Sequence, residues 1–278
     1  MTAPGPSLSA DAPAALAALA SDVAQEAADL LLTRHGRVGV VHTKSSPTDV
    51  VTEMDQAAER LIRERLLADR PGDSVLGEEG GETGAAAAGS VRWIVDPLDG
   101  TVNYLYGLPD WAVSIAAEVA GDVVAGAVCV PLRRSLFTAV RGGGAWLESA
   151  WQPGKQRLAC TAGVALSAAL VATGFGYPAD QRAAQGAVVA TVLPRVRDIR
   201  RSGSAATDLC SVAAGQVDGY YEQGLHYWDL AAGGLIAREA GAMTGGLYGR
   251  DAGPAMTIAA SPALFAELHD VLAGLMAS

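Results

Sequence analysis

No stretch of this 278-residue sequence reaches about 18 apolar residues without a charge or a glycine, so no membrane-spanning helix is expected. Residues 1–13 contain neither Lys nor Arg and no long apolar run, so they do not read as a secretory signal. Cysteine is scarce. Cys129, Cys160 and Cys210 are odd in number, far apart and without CxxC spacing, which reads as buried free thiols in a reducing, cytoplasmic setting. Basic residues are also short, 20 against 30 acids, for a net charge of -10. That balance argues against nucleic acid or an anionic membrane as a partner. What the chain does have is bulk for a core, since 50% of it is hydrophobic.

Residues 1–12, rich in Ala, Pro, Ser and Gly, read as a disordered tail. Apolar residues then recur at helical spacing from Ala14 to about Arg34. A polar loop over 42–49 leads to a second helix over 54–68, with Thr52 as N-cap. Ser74–Gly77 reads as a short strand, and 82–90 as a small-residue surface loop. Val91, Trp93, Ile94 and Val95 form a buried strand, which Pro97 is expected to end. Runs at 111–119, 123–130 and 136–140 predict an antiparallel meander, with Gly142–Gly144 as a break. The halves, 13–150 and 151–278, divide near 146–160. The second half alternates strand and helix, with strands near 169–173, 196–199, 217–221 and 256–259 and helices near 180–193, 204–214, 227–240 and 262–272. This alternation predicts a layered α/β arrangement.

Acids stand at the ends of several of these elements: Asp55, Glu78 with Glu79, Asp96 with Asp99, and Asp229. Each has an ordinary explanation. Asp55 and Asp229 sit where a helix start welcomes negative charge. Glu78-Glu79-Gly80-Gly81 suits a solvated turn, and Asp96-Pro97 and Asp99-Gly100 are common turn dipeptides. The alternative is convergence. Two like charges about 4 Å apart repel by roughly 4 kcal/mol at an effective dielectric near 20, so a converged set needs a cation or raised pKa values. Ligation by carboxylates without His or Cys selects a hard ion, Mg²⁺ before Zn²⁺. Gly100-Thr101, directly after these acids, opens a turn whose N–H groups can receive phosphate.

Four segments, Lys44 to Asp55, Gly77-Glu78-Glu79, Trp93 to Thr101 and Gly203 through Trp228-Asp229, together make the sequence one that resembles the inositol monophosphatase family. The resemblance implies an α-β-α-β-α sandwich, a homodimer, and Mg²⁺-dependent cleavage of small phosphate monoesters. By matching motifs, one metal falls to Glu78, Asp96 and the Leu98 carbonyl. A second falls to Asp96, Asp99 and Asp229, and a weaker third to Glu78. Thr101, bonded to Asp55, is expected to orient and deprotonate the attacking water, and the Gly100 and Thr101 N–H groups to hold phosphate. Glu222, with Ser204 and Ala205 as neighbours, matches the position that binds inositol hydroxyls, although a strand-end acid can simply be exposed. Glu79 and Lys44 fall in supporting positions, Lys44 on a loop that is mobile in relatives. His226 and Trp228 read as packing residues, and His35, His42 and His269 as surface. The expected substrate is myo-inositol 1-phosphate or a related polyol or sugar phosphate. Histidinol phosphate, fructose 1,6-bisphosphate and a non-catalytic regulatory role are the alternatives. The resemblance also suggests inhibition by Li⁺.

Overall fold

The computed structural model describes residues 12–37, 39–43, 50–84 and 89–276. The expected tail up to residue 11 and Lys44 with its loop lie outside the described residues. In chain order the elements are α1 (Ala12–Leu32), β1 (Val40–Thr43), β2 (Val50–Thr52), α2 (Glu53–Asp69), β3 (Ser74–Gly77), β4 (Gly81–Thr83), β5 (Arg92–Asp99) and α3 (Thr101–Leu105). There follow β6 (Ala112–Val119), β7 (Asp122–Val130), β8 (Ser135–Val140), β9 (Gly144–Ser149) and β10 (Gln152–Arg157). The rest comprises β11 (Leu170–Thr173), α4 (Ala179–Val192), β12 (Asp198–Arg200), α5 (Ala205–Ala213), β13 (Gly219–Glu222), α6 (Tyr227–Glu239), β14 (Met243–Gly245), β15 (Thr257–Ala260) and α7 (Pro262–Met276).

Eight strands in the order β10-β9-β8-β7-β6-β5-β3-β4 form one sheet, and β12-β11-β13-β15-β14 form another. Residue alternation explains how the large sheet is covered on both faces. Trp93, Val95, Val113 and Ile115 point into a core shared with α1 and α2, while Ile94, Ala112, Ala116 and Val128 point into a core shared with α5 and α6. The other side of α5 and α6, including Leu209, Val212 and Ala237, packs on Tyr220 and Ala259 of the second sheet. The far face of that sheet, with Val171, Ile258 and Ala260, packs on Leu264, Leu268 and Leu272 of α7. Four apolar interfaces therefore hold five layers, α-β-α-β-α, in the expected order.

Three local expectations change. Pro97 does not end its strand. β5 continues to Asp99, and its pairing with β6 slips between Asp96 and Asp99. A bulge tolerates a residue with no N–H to donate, so the proline sits where the ladder is already interrupted. Gly142–Gly144 does not end the meander either, because β9 and β10 extend it antiparallel. Finally, Gly81–Thr83 forms an exposed strand beside β3 rather than loop.

Candidate active site

The bulge at the end of β5 aims its two acids. Asp96 is buried, and its Oδ1 accepts the Leu98 N–H at 3.0 Å. Asp99 is half-buried, and its Oδ2 accepts the Ser204 hydroxyl at 2.6 Å and the Ala206 N–H at 2.7 Å, tying the end of β5 to the start of α5. Gly100 turns the chain from strand to helix at φ 93°, a left-handed conformation that glycine adopts without a Cβ penalty. A Cβ there would also lie 2.9 Å from the Asp110 carbonyl oxygen. α3 begins immediately at Thr101, as the sequence suggests.

Asp55 performs both of the tasks between which its sequence position left the choice open. Its Oδ2 accepts the Thr52 N–H at 2.8 Å and the Thr52 hydroxyl, closing the N-terminal cap of α2. Its Oδ1 accepts the Thr101 hydroxyl at 2.9 Å. The same hydroxyl lies 3.1 Å from the Leu98 carbonyl oxygen, and its single proton serves one acceptor at a time. Asp229 is similar: its Oδ2 accepts the His226 N–H at 2.7 Å at the start of α6.

These elements enclose a cavity of about 570 Å³. Glu78, Asp96, Leu98, Asp99, Gly100, Thr101 and Asp229 line one part of it. Ser204, Ala205 and Glu222 also line it. Asp55 does not, and reaches it through Thr101. Glu79 lies outside it, its N–H held by Glu59 at 2.7 Å. His226 and Trp228 stack at 4.9 Å and line it too, whereas His35 is not a plain surface residue, since it packs on Tyr104 and Trp111. Cys129 and Cys210 are buried and Cys160 half-buried, all as free thiols.

Electrostatics follow from this crowding. Burial pushes Asp96 well above the usual carboxylate range, and the charges of Glu78, Asp99 and Asp229 push it further. Asp229 is raised by burial, then by Asp99 and Glu78. Asp99 rises only to about 6, because the bonds from Ser204 and Ala206 favour its charged form. Burial also raises Asp55, against the bonds from Thr52 and Thr101.

Among the described residues, no three acidic, His or Cys side chains already close around one point as a metal cage. Several of the acids are turned towards hydrogen-bond donors of their own framework. The donor set nonetheless suits a hard cation: carboxylates and one backbone carbonyl, facing a single cavity, with negative charge that raises the pKa of its own members. A divalent ion held there would supply the missing charge balance.

Residues in and behind the far part of the cavity were passed over by the sequence reading. Tyr220 donates its hydroxyl to Glu222 Oε2 at 2.7 Å, and burial raises Glu222 to about 7. The period of two along β13 places Tyr220 on the face of Glu222, a signal that was available in the sequence. Arg201 and Gln181 line the same part, and the Arg201 charge acts on Glu222 to favour its ionised form. They come from separate segments, and no spacing links them to the acids.

Comparison with known proteins gives a consistent placement. Over 270 residues, 92% of each chain, the sequence is 47% identical to the "Inositol-1-monophosphatase SuhB" of Mycobacterium tuberculosis. It is 41% identical over 202 residues, 72% of this chain and 73% of the other, to the "Nus factor SuhB" of Pasteurella multocida. The solved structure of Mycobacterium tuberculosis SuhB superposes with a TM-score of 0.79 at 44% identity, covering 95% of this chain and 97% of that one. The profile of the inositol monophosphatase family matches residues 13–276, and the chain belongs to that family.

Proposed function

We propose that the protein is a Mg²⁺-dependent phosphomonoesterase that hydrolyses myo-inositol 1-phosphate and related polyol or sugar monophosphates. The observation that carries this reading is the Thr101–Asp55 hydrogen bond at the edge of a cavity faced by Glu78, Asp96, Asp99 and Asp229. Two ions held by Glu78, Asp96, the Leu98 carbonyl, Asp99 and Asp229, with a third more weakly at Glu78, would neutralise phosphoryl charge and acidify water. With its proton given to Asp55, the Thr101 oxygen is left as an acceptor for a water in the cavity. The route for that water's proton then runs through Thr101 to Asp55, whose burial favours proton uptake. Gly100 and Thr101 offer backbone N–H groups to phosphate. Glu222, with one oxygen held by Tyr220, accepts hydroxyls of the leaving polyol, flanked by Ser204 and Ala205 at the start of α5. A homodimer and inhibition by Li⁺ belong to the same reading, and light scattering during gel filtration checks the first.

A second reading is a regulatory member without turnover, favoured by relatives that bear the name Nus factor SuhB. A phosphate-release screen over myo-inositol 1-phosphate, histidinol phosphate and fructose 1,6-bisphosphate, with and without Mg²⁺, separates these readings. The expected outcome is Mg²⁺-dependent release, best with inositol 1-phosphate, and no release from Asp96→Asn. Superior use of histidinol phosphate sinks the substrate assignment, and an active Asp96→Asn sinks the metal assignment. Absence of any release supports the regulatory reading.

A further inference from the structure

Glu78 is the one proposed metal contact that comes from a short strand end followed by an exposed hairpin. On one side it is anchored by the sheet: Gly77 pairs with Val95 of β5, and the Glu78 N–H donates to the Val95 carbonyl at 3.3 Å. On the other side the chain passes into β4, which is solvent-exposed along its length. A buried ion pair on α2 clamps this second side. Glu59 Oε2 accepts the Glu79 N–H at 2.7 Å, and Oε1 accepts the Gly80 N–H at 2.8 Å. Arg63 donates Nε to Glu59 Oε1 at 2.9 Å, Nη1 to the Val75 carbonyl at 3.1 Å, and Nη2 to the Gly81 carbonyl at 2.6 Å. Arg63 Nη1 also bonds to the Thr83 hydroxyl. The pair thus holds backbone groups on both sides of Glu78.

Two further observations show that this clamp is built in. The Glu59 and Arg63 side chains are only 4% and 14% exposed. The approach is also so close that a Cβ on Gly77 would lie 2.5 Å from the Glu59 carboxyl carbon. Apolar residues can often replace a buried ion pair without loss of stability, so stability alone is a weak reason for this one. Its distinctive product is the fixed position of the hairpin. Glu59 lies one helical turn after Asp55, so α2 supports Thr101 through one acid and the Glu78 turn through the next.

We propose that Glu59 and Arg63 are positioning residues that set the affinity of the site for Mg²⁺ by fixing the Glu78 turn. This rests on the metal reading given above. Groups that orient metal ligands typically change metal affinity or activity by about 10–100-fold when altered. Glu59→Gln replaces one acceptor oxygen with an amide that faces a backbone N–H. Arg63→Lys keeps the charge and loses the fork, and carries the test if Glu59→Gln does not fold. Mg²⁺ binding to the substrate-free protein is measured by calorimetry, and the half-saturating Mg²⁺ concentration by phosphate release from inositol 1-phosphate. Both midpoints should rise by about tenfold or more in each folded variant. The KM for inositol 1-phosphate at saturating Mg²⁺ should stay at the parent value. A merely structural role would lower the melting temperature and leave the Mg²⁺ midpoints unmoved, and that result overturns the proposal. A parent protein that binds no Mg²⁺ overturns the metal reading itself, and the proposal with it.

Discussion

At the scale of single residues, the division of labour between the two oxygens of Asp55 makes one substitution informative. In Asp55→Asn the amide can present its oxygen to Thr52 or to Thr101, not to both. With the cap retained, the Thr101 hydroxyl meets an N–H₂ donor and its proton turns away. Turnover should then fall by roughly 10²–10⁴-fold, the range for loss of a general base. Stability should fall by only about 1 kcal/mol, the worth of one hydrogen bond. Parallel kcat and urea-melt measurements check this, and a kcat near the parent value removes Asp55 from the proton route. Glu222 supplies a prediction of a different kind. Raised to about 7, it is neutral below that pH and a double acceptor above it. The KM for inositol 1-phosphate should therefore fall as pH rises through about 7, with the slope lost in Glu222→Gln. A pH-independent KM in the parent protein counts against hydroxyl binding by Glu222.

At the scale of elements, the passage from β5 to α3 is the least replaceable turn. Gly100→Ala would force a Cβ into a left-handed conformation and within 2.9 Å of the Asp110 oxygen and 3.2 Å of the Gly203 oxygen. The conformational part alone costs about 1–3 kcal/mol, and the clash adds displacement of Thr101. Both the melting temperature and turnover should drop; unchanged values would mean that the turn adopts another backbone. Much of this architecture was legible beforehand. α1, α2, α5, α6 and the strands β6 to β8 are amphipathic or continuously apolar, so their periodicity shows directly. β10 was not legible, because Gln152-Pro153-Gly154-Lys155-Gln156-Arg157 is a polar, exposed edge without alternation. The bulge at Pro97 was misread because a proline ends a regular ladder but not an irregular one. In the cavity, the carboxylates were legible as motifs, whereas Arg201 and Gln181 owe their places to how the second sheet stacks. No local pattern encodes that stacking.

At the scale of the whole molecule, burial of acids sets the pH dependence of stability. Asp208 on α5 is buried, its Oδ2 has no hydrogen-bond partner among the described residues, and burial pushes it up to about 8. An unfolded aspartate carboxyl releases its proton near its ordinary value of 3.8. Between these values the folded state holds more protons than the unfolded one, so stability falls as pH rises through the window. Glu222 and Asp99, at about 7 and about 6, add to the same slope. Without divalent ions, the unfolding free energy from urea melts should be lower near pH 8 than near pH 5, by on the order of 1 kcal/mol per pH unit. Asp208→Asn should flatten the profile. A profile already flat in the parent protein would show that Asp208 is solvated. Mg²⁺, if it binds only the folded state, should recover part of the loss at the alkaline end.

The five-layer stack also has a kinetic consequence. The acids facing the cavity come from β5, from the turn after β3, from the end of β13 in the second sheet and from the start of α6, and Asp99 bonds across to α5. No short segment of the chain contains them all, and contacts between distant segments form late because loop closure must precede them. On dilution from urea, far-ultraviolet circular dichroism should recover before phosphatase activity does. The interval between the two signals would time the docking of the second sheet onto α5 and α6.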